Sequence, residues 1–139
     1  MTTVRHFTLG EATALLPRLT ELIGALRQLR DRAVVRRARI DRLWQRLDHG
    51  EPVLTTIGDE QRTLDALADR LVTTAKEIES IGCVLRDLDQ GLIDFPFRAP
   101  TGTVFLCWKV GESAIQFWHG RDEGFAGRKP IAQLPVDRK

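Results

Sequence analysis

Residues 15–47 read LLPRLTELIGALRQLRDRAVVRRARIDRLWQRL, and apolar side chains recur in this run at alternating steps of four and three residues. Ten positions follow that spacing, and nine of them are apolar. These positions, called the seam below, are Leu15, Leu19, Leu22, Leu26, Leu29, Ala33, Arg36, Ile40, Leu43 and Leu47. A repeat of seven residues keeps two positions of each heptad on one helix face, as in a coiled coil. The spacing predicts a long helix that lies along a partner helix.

Both ends of this helix carry sequence signals. Thr8 can accept hydrogen bonds from the free amides of the first turn, and Glu11, three residues later, completes a capping box. The helix is therefore expected to begin at about Leu9. Pro17 has no backbone N–H, so it is expected to kink or break the helix. Gly-Glu-Pro at residues 50–52 ends it, which gives a length of about 60 Å.

A second helix is predicted from about Asp59 to Ile81, after a turn that extends to about Gly58. It repeats the three-and-four spacing and ends at Gly82. The positions with that spacing are Leu64, Leu67, Leu71, Thr74, Ile78 and Ile81. The second helix must fold back antiparallel on the first.

Opposite charges on the two helices support this pairing. Residues 27–46 hold eight arginines and two aspartates, whereas the second helix holds six acids and three basic residues. We expect Arg36 to pair with Asp65 or Asp69 across the helices. Because the basic stripe has no interleaved aromatic residues, cross-helix ion pairs explain it better than nucleic acid, which is not an expected partner.

The second helix is about half as long as the first, so it covers the seam only from about Leu26 to Leu47. Something else must cover the seam between Leu15 and Leu22. The two candidates are the C-terminal third of the chain and a second copy of the protein. We expect both, and therefore a homodimer.

From Cys83 onward the apolar period changes to two, which is typical of β-strands. Short strands are predicted at residues 84–87, 91–95, 103–109 and 114–119, with tight turns between them. The predicted fold class is α+β. A long antiparallel helical hairpin carries a small antiparallel β-meander packed at its open end, in one domain over residues 1–139. Within it, residues 1–82 form the hairpin and residues 83–139 the meander and C-terminal loop.

Composition limits the functional classes. The chain has 139 residues, is 42% hydrophobic and carries a net charge of +2, which gives no bias towards nucleic acid or membranes. No apolar run approaches the roughly 20 residues of a membrane helix, and no signal peptide is recognisable. A soluble, cytoplasmic protein without a membrane partner is expected. The two cysteines are too few for a four-thiolate zinc site and are expected to be reduced.

Several segments form a distinctive set. They are Ile81-Gly82-Cys83, Gly91-Leu92-Ile93-Asp94-Phe95-Pro96, Leu106-Cys107-Trp108-Lys109 with Gly111-Glu112, Phe117-Trp118-His119 and Gly124-Phe125-Ala126-Gly127-Arg128. Phe7-Thr8, Glu11-Ala12 and Leu15-Leu16-Pro17 belong to the same set. Together they resemble an uncharacterised prokaryotic family, domain of unknown function 2203, over nearly the whole chain. The resemblance supports the fold and the choice of residues and implies no particular reaction.

Three residues in the predicted strands are candidates for catalysis: His119, Asp94 and Cys107. An imidazole can bind a metal or act as a general base near neutral pH, although His119 can equally be a core histidine with satisfied hydrogen bonds. Asp94 can orient the imidazole if the two strands are adjacent, or simply accept backbone hydrogen bonds. Cys107 is a catalytic thiolate or a buried, inert thiol.

Other residues can complete a site. Glu112 and Glu77 are candidate metal ligands with His119 and Asp94, although an extended strand would separate Glu112 from His119 by roughly 20 Å. Glu77 can instead be an exposed helix residue. The candidates for a ligand-binding wall are Arg128, Trp108 and Trp118, with a loop arginine and core tryptophans as the alternatives.

Two functional hypotheses follow. The first is a metal or small-ligand site centred on His119, with a divalent ion such as zinc, manganese or iron, in a protein that is an enzyme or a binding protein. The second is a non-enzymatic interaction module that uses the seam for homodimerisation or for docking a partner helix. Convergence of His119 and an acid in one cavity favours the first hypothesis.

Overall fold

The computed structural model describes residues 4–136 and confirms an α+β fold. The helices are α1 (Leu9–Ala14), α2 (Leu16–Asp48) and α3 (Leu54–Ile81). The strands are β1 (Val84–Asp87), β2 (Leu92–Ala99), β3 (Gly102–Lys109), β4 (Phe117–His119) and β5 (Lys129–Pro130). Two short 3₁₀ helices, Phe125–Gly127 and Ile131–Gln133, flank β5. None of the helices in this part of the chain is both long and apolar enough to cross a membrane.

The first helix begins where the capping box predicts. The Thr8 hydroxyl accepts a hydrogen bond from the Glu11 amide, and the Glu11 carboxylate accepts one from the Thr8 amide. The predicted break is also confirmed, since α1 ends before Leu15 and α2 begins at Leu16. Pro17 is the second residue of α2, where the first amides have no partner within the helix, so its missing N–H costs little there.

The third helix begins earlier than predicted. It starts at Leu54 rather than at about Asp59, so the expected turn up to Gly58 is helical. Val53 and Ile57 are buried in one cluster with Leu43, with the partly buried Leu47 against it. This burial stabilises a first turn whose sequence has no strong helix signal.

The backbone divides into two compact units, and the prediction of a single domain stays a prediction. One unit is Gly24–Lys76, a helical hairpin made from parts of α2 and α3. In it, Arg36 pairs with Glu60 at 2.6 Å and Arg39 pairs with the same carboxylate at 3.3 Å. The predicted partners of Arg36 were wrong, because the early start of α3 places Glu60 opposite it.

The other unit comprises Met1–Ile23 and Glu77–Lys139, that is, α1, the start of α2, the end of α3 and the sheet. The sheet has the order β1-β2-β3-β4-β5 with every neighbouring pair antiparallel, which confirms the meander. β4 is shorter than the predicted strand at residues 114–119. β5 lies in a segment expected to be a loop, and its residues pair with Phe117 and Trp118.

The core of this unit draws on both helices and the sheet. Its fully buried residues include Leu19, Ile23, Ile78, Ile93, Phe95, Leu106 and Trp108. Phe7 packs edge-on against Phe95, with ring centres 5.3 Å apart. Leu19 and Leu22 are thus buried within one chain, so the N-terminal part of the seam no longer argues for a second copy. Homodimerisation and docking of a partner helix stay predictions.

Candidate metal centre

Three adjacent strands bring Asp94, Cys107 and His119 together. Asp94 on β2 lies directly opposite Cys107 on β3, and His119 on β4 lies opposite Phe105, two residues from Cys107. Because directly paired residues share a sheet face and strand residues alternate between faces, all three side chains project from one face. One ligand atom from each lies within 4.8 Å of the others. These residues are called the Asp–Cys–His cluster below.

The cluster is buried, with Asp94 2% exposed and His119 3% exposed. Burying a carboxylate and an imidazole away from water is costly unless each polar atom finds a partner. The partners of each atom therefore indicate what the cluster can bind.

One oxygen of Asp94 is satisfied and the other is not. Oδ2 accepts a hydrogen bond from Nε of Arg86 at 2.8 Å and lies 2.9 Å from Nε2 of His119. Oδ1 is buried and has no partner among residues 4–136. A buried carboxylate oxygen without a hydrogen-bond donor can instead donate an electron pair to a metal ion.

The hydrogen bonds of His119 fix its tautomer. Nδ1 lies 2.9 Å from the carbonyl oxygen of Gly120, which only accepts, so Nδ1 carries a proton. Nε2 faces the Asp94 carboxylate, 2.9 Å from Oδ2. Base catalysis by a carboxylate–histidine pair requires a ring nitrogen that is open to substrate, and here both are occupied. A backbone carbonyl on Nδ1 is instead the usual support of a histidine that binds metal through Nε2.

Cys107 is not a free nucleophile. Burial raises the pKa of its thiol to about 12, and the negative charge of Asp94 adds to this effect, while Arg128 opposes it. The thiol therefore stays protonated at neutral pH. A metal ion can displace that proton, because the thiolate is the form that binds metal.

The Asp–Cys–His cluster opens onto a cavity of about 380 Å³. The cavity wall also includes Arg86, Leu92 and the loop residues 121–125. Glu123 fixes this loop, because its carboxylate accepts a hydrogen bond from the Gly120 amide and pairs with Lys129. His119 and an acid thus converge in one cavity, which is the condition that favours a metal or ligand site.

Two predicted metal ligands lie outside the cluster. Glu112 accepts hydrogen bonds from the Lys109 amide at 2.7 Å and from Arg128 at 2.8 Å, so it closes the turn after β3. Glu77 is exposed and pairs with Arg18 at 3.0 Å. Neither carboxylate is brought to His119.

The three predicted ligand-binding residues are held by other contacts in the strands and loops around the site. The Arg128 guanidinium stacks on the rings of Phe117 and Phe125 at 4.0 and 4.7 Å, and it donates to the Cys107 carbonyl at 3.3 Å. Trp108 is buried and donates to the Glu112 carbonyl, while the ring of Trp118 lies against Lys129. None of these three predicted residues is part of the cavity wall.

Sequence reasoning missed Arg86, the cation that holds Asp94. The pairing of β1 with β2 shifts between Leu85 and Asp87, so Arg86 sits at a β-bulge. A bulge re-aims the side chain it inserts, and a simple period of two does not reveal it. The only signal in the sequence was that the strand with Arg86 directly precedes the strand with Asp94 along the chain.

Comparison with known proteins identifies a family. A family model described as an uncharacterised conserved protein, DUF2203, matches residues 5–131, which include the whole Asp–Cys–His cluster. The match confirms the resemblance indicated by the sequence motifs. No curated protein and no solved structure matches the chain significantly.

Proposed function

We propose a metal-binding function for this chain, which belongs to the uncharacterised conserved family DUF2203. A divalent transition-metal ion binds through Oδ1 of Asp94, Sγ of Cys107 and Nε2 of His119. The observation that carries the proposal is a buried carboxylate, thiol and imidazole that each bring one ligand atom within 4.8 Å of the others, with Asp94 Oδ1 lacking a partner among the described residues.

The ligand types favour zinc. Zinc combines sulfur, nitrogen and carboxylate ligands, whereas manganese prefers oxygen ligands. Iron is the second choice among the divalent ions expected from the sequence. Buried, reduced cysteines are typical of the cytoplasm, which is the compartment we propose.

The geometry needs only a small adjustment. Bond lengths of about 2.0 to 2.3 Å place tetrahedral ligand atoms roughly 3.5 Å apart, and one ligand atom of each residue already lies within 4.8 Å of the others. Binding the ion replaces the 2.9 Å contact between Nε2 and Oδ2. Arg86 does not block the ion, because it bonds Oδ2 and leaves Oδ1 free. A second oxygen held by a cation orients the ligating carboxylate.

Three protein ligands leave one coordination position, as in catalytic zinc sites rather than structural ones. A water in that position would have its pKa lowered to about 7 and would supply hydroxide at neutral pH. The adjacent cavity has room for a small substrate. We therefore propose that the metal centre is catalytic, with hydrolysis or hydration as the reaction class.

Cobalt substitution tests the ligand set. The untagged protein is assayed for metal by elemental analysis, and the metal-free protein is titrated with Co²⁺. We expect stoichiometric binding and a thiolate-to-cobalt charge-transfer band in the near ultraviolet, because Cys107 supplies the thiolate. The Cys107→Ser variant should lose that band.

The matched control is Cys83→Ser. Cys83 is also a buried thiol, but it bonds the Ile78 carbonyl and is not in the cluster. This variant should keep the charge-transfer band. The proposal is wrong if wild-type protein binds no Co²⁺ or Zn²⁺, or if Cys107→Ser keeps the band.

A further inference from the structure

Two arginines line the cavity beside the Asp–Cys–His cluster. Arg121 is exposed and makes no hydrogen bond or ion pair within residues 4–136. Arg86 uses Nε for Asp94, and its two Nη groups make none within the same range. Unused guanidinium donors in a planar fork match the oxygens of carboxylates and phosphates.

Arg86 is held in place before any ligand arrives. Asp94 fixes its Nε edge at 2.8 Å, and its Cζ lies 5.1 Å from the centre of the Phe105 ring. The side chain is nevertheless 48% exposed. Because one edge is already fixed, binding a ligand at the other edge costs little conformational entropy.

The acids at the cavity leave these donors free. Asp94 engages only Nε of Arg86, and Glu123 is paired with Lys129. Asp122 is exposed and makes no ion pair with either arginine in the described part of the chain. The guanidinium donors that line the cavity are therefore open to an anion.

The cavity also has an apolar part. Leu92 and Phe125 belong to its wall, and its volume of about 380 Å³ accommodates a small organic molecule. A ligand that fills it combines a charged oxygen group with a compact apolar body.

We infer that the cavity binds a small organic oxyanion, a carboxylate or a phosphate monoester, whose charged group is held by Arg86 and Arg121. This inference deepens the proposed function, since it names the class of substrate for the metal centre. The arginine contacts do not require the metal, so the two proposals can fail separately.

Calorimetric titration tests it with three probes that share a phenyl group: phenylacetate, phenyl phosphate and the uncharged phenylacetamide. Both anions are titrated into metal-free and zinc-loaded protein. We expect at least one anion to bind more tightly than phenylacetamide, and the preferred anion identifies carboxylate or phosphate as the natural group. Arg121→Gln should weaken that anion about tenfold, the value of one charge-assisted hydrogen bond.

The control variant is Arg98→Gln, an exposed arginine of β2 that lines a different cavity. It should bind the anion as wild type does. Phenylacetamide binding as tightly as both anions, an unchanged affinity in Arg121→Gln, or no binding of either anion would overturn the inference. Anion binding lost in Arg121→Gln without any binding of Co²⁺ or Zn²⁺ would uphold the inference and reject the metal centre.

Discussion

At the scale of single residues, His119 lies between two oxygen acceptors, the Gly120 carbonyl and the Asp94 carboxylate. The nearby Cys107 thiol is protonated at neutral pH, because burial raises its pKa to about 12. A metal ion must replace the Sγ proton, which ties its affinity to pH.

Metal binding through Cys107 is therefore expected to release the thiol proton near neutral pH. Each released proton makes the affinity rise about tenfold per pH unit, so affinity falls as pH falls. Calorimetry of Zn²⁺ binding in buffers of different ionisation enthalpy counts the protons. Cys107→Ser should release one proton fewer, and equal release in both proteins would contradict a thiolate ligand.

The candidate site was predictable from sequence in part. A period of two in the C-terminal third places His119, Asp94 and Cys107 in strands, and adjacent antiparallel strands bring them together. Glu112 was a candidate because it is an acid near His119 in sequence. Its carboxylate instead accepts hydrogen bonds from Arg128 and the Lys109 amide. A long-range ion pair of this kind leaves no local pattern.

At the scale of elements, the end of α3 depends on one glycine. Gly82 has a φ of +103°, in the left-handed region that favours glycine. A Cβ there would lie 3.0 and 3.1 Å from Cδ and Cβ of Arg5 and 3.4 Å from Cζ of Phe7. Both the end of α3 and the packing of the N-terminal segment beside it therefore depend on the absence of a side chain at Gly82.

Gly82→Ala is expected to lower the free energy of unfolding by more than Gly50→Ala. Gly50 also has positive φ, at +87°, but nothing lies within 4 Å of its added Cβ. Both variants lose about 1 to 2 kcal/mol of unfolding free energy because alanine disfavours the left-handed backbone, and Gly82→Ala loses about 1 kcal/mol more through steric overlap. Urea denaturation measures the difference. Equal losses in the two variants would show that contact with Arg5 and Phe7 is unimportant.

Element positions were predictable where the signal is local. Some signals determine the helical turn in which they lie: the capping box of Thr8 and Glu11, the proline at Pro17 and the glycine at Gly82. The corresponding helix boundaries agree with the structure. The start of α3 depends instead on burial against Leu43, far away in sequence. Helix propensity, which depends on neighbouring residues only, does not reveal a contact between residues distant in sequence.

At the scale of the whole molecule, the side chains of the seam are covered within one chain. Its ten positions are all buried or half-buried, including Leu19 at 0% exposure. Periodicity predicted which side chains are covered. It could not predict what covers them, because a heptad repeat is the same for a partner in the same chain and in another.

Leu19→Asp is expected to cost more than about 3 kcal/mol of stability, because it buries a charge without a partner. The matched control is Val34→Asp on the same helix, where the side chain is 63% exposed and the change should stay within about 0.5 kcal/mol. Thermal and urea unfolding measure both variants, with light scattering for their mass. A Leu19→Asp protein of normal stability but reduced mass would instead place Leu19 in an interface between copies.

The pair of arginines on Glu60 has a consequence for how the helical hairpin aligns. A seam that repeats every seven residues looks the same after a slip of one heptad, so apolar contacts alone allow several alignments of α3 along α2. Arg36 interrupts the repeat, and it pairs with the Glu60 carboxylate, whose side chain is only 11% exposed and which is shared with Arg39. A slip of one heptad would place Leu29 or Leu43 where Arg36 lies and remove the 2.6 Å partner of the buried Glu60, although Arg32 or Arg46 would then replace Arg39. The one seam position that is not apolar thus selects a single alignment among otherwise equivalent ones.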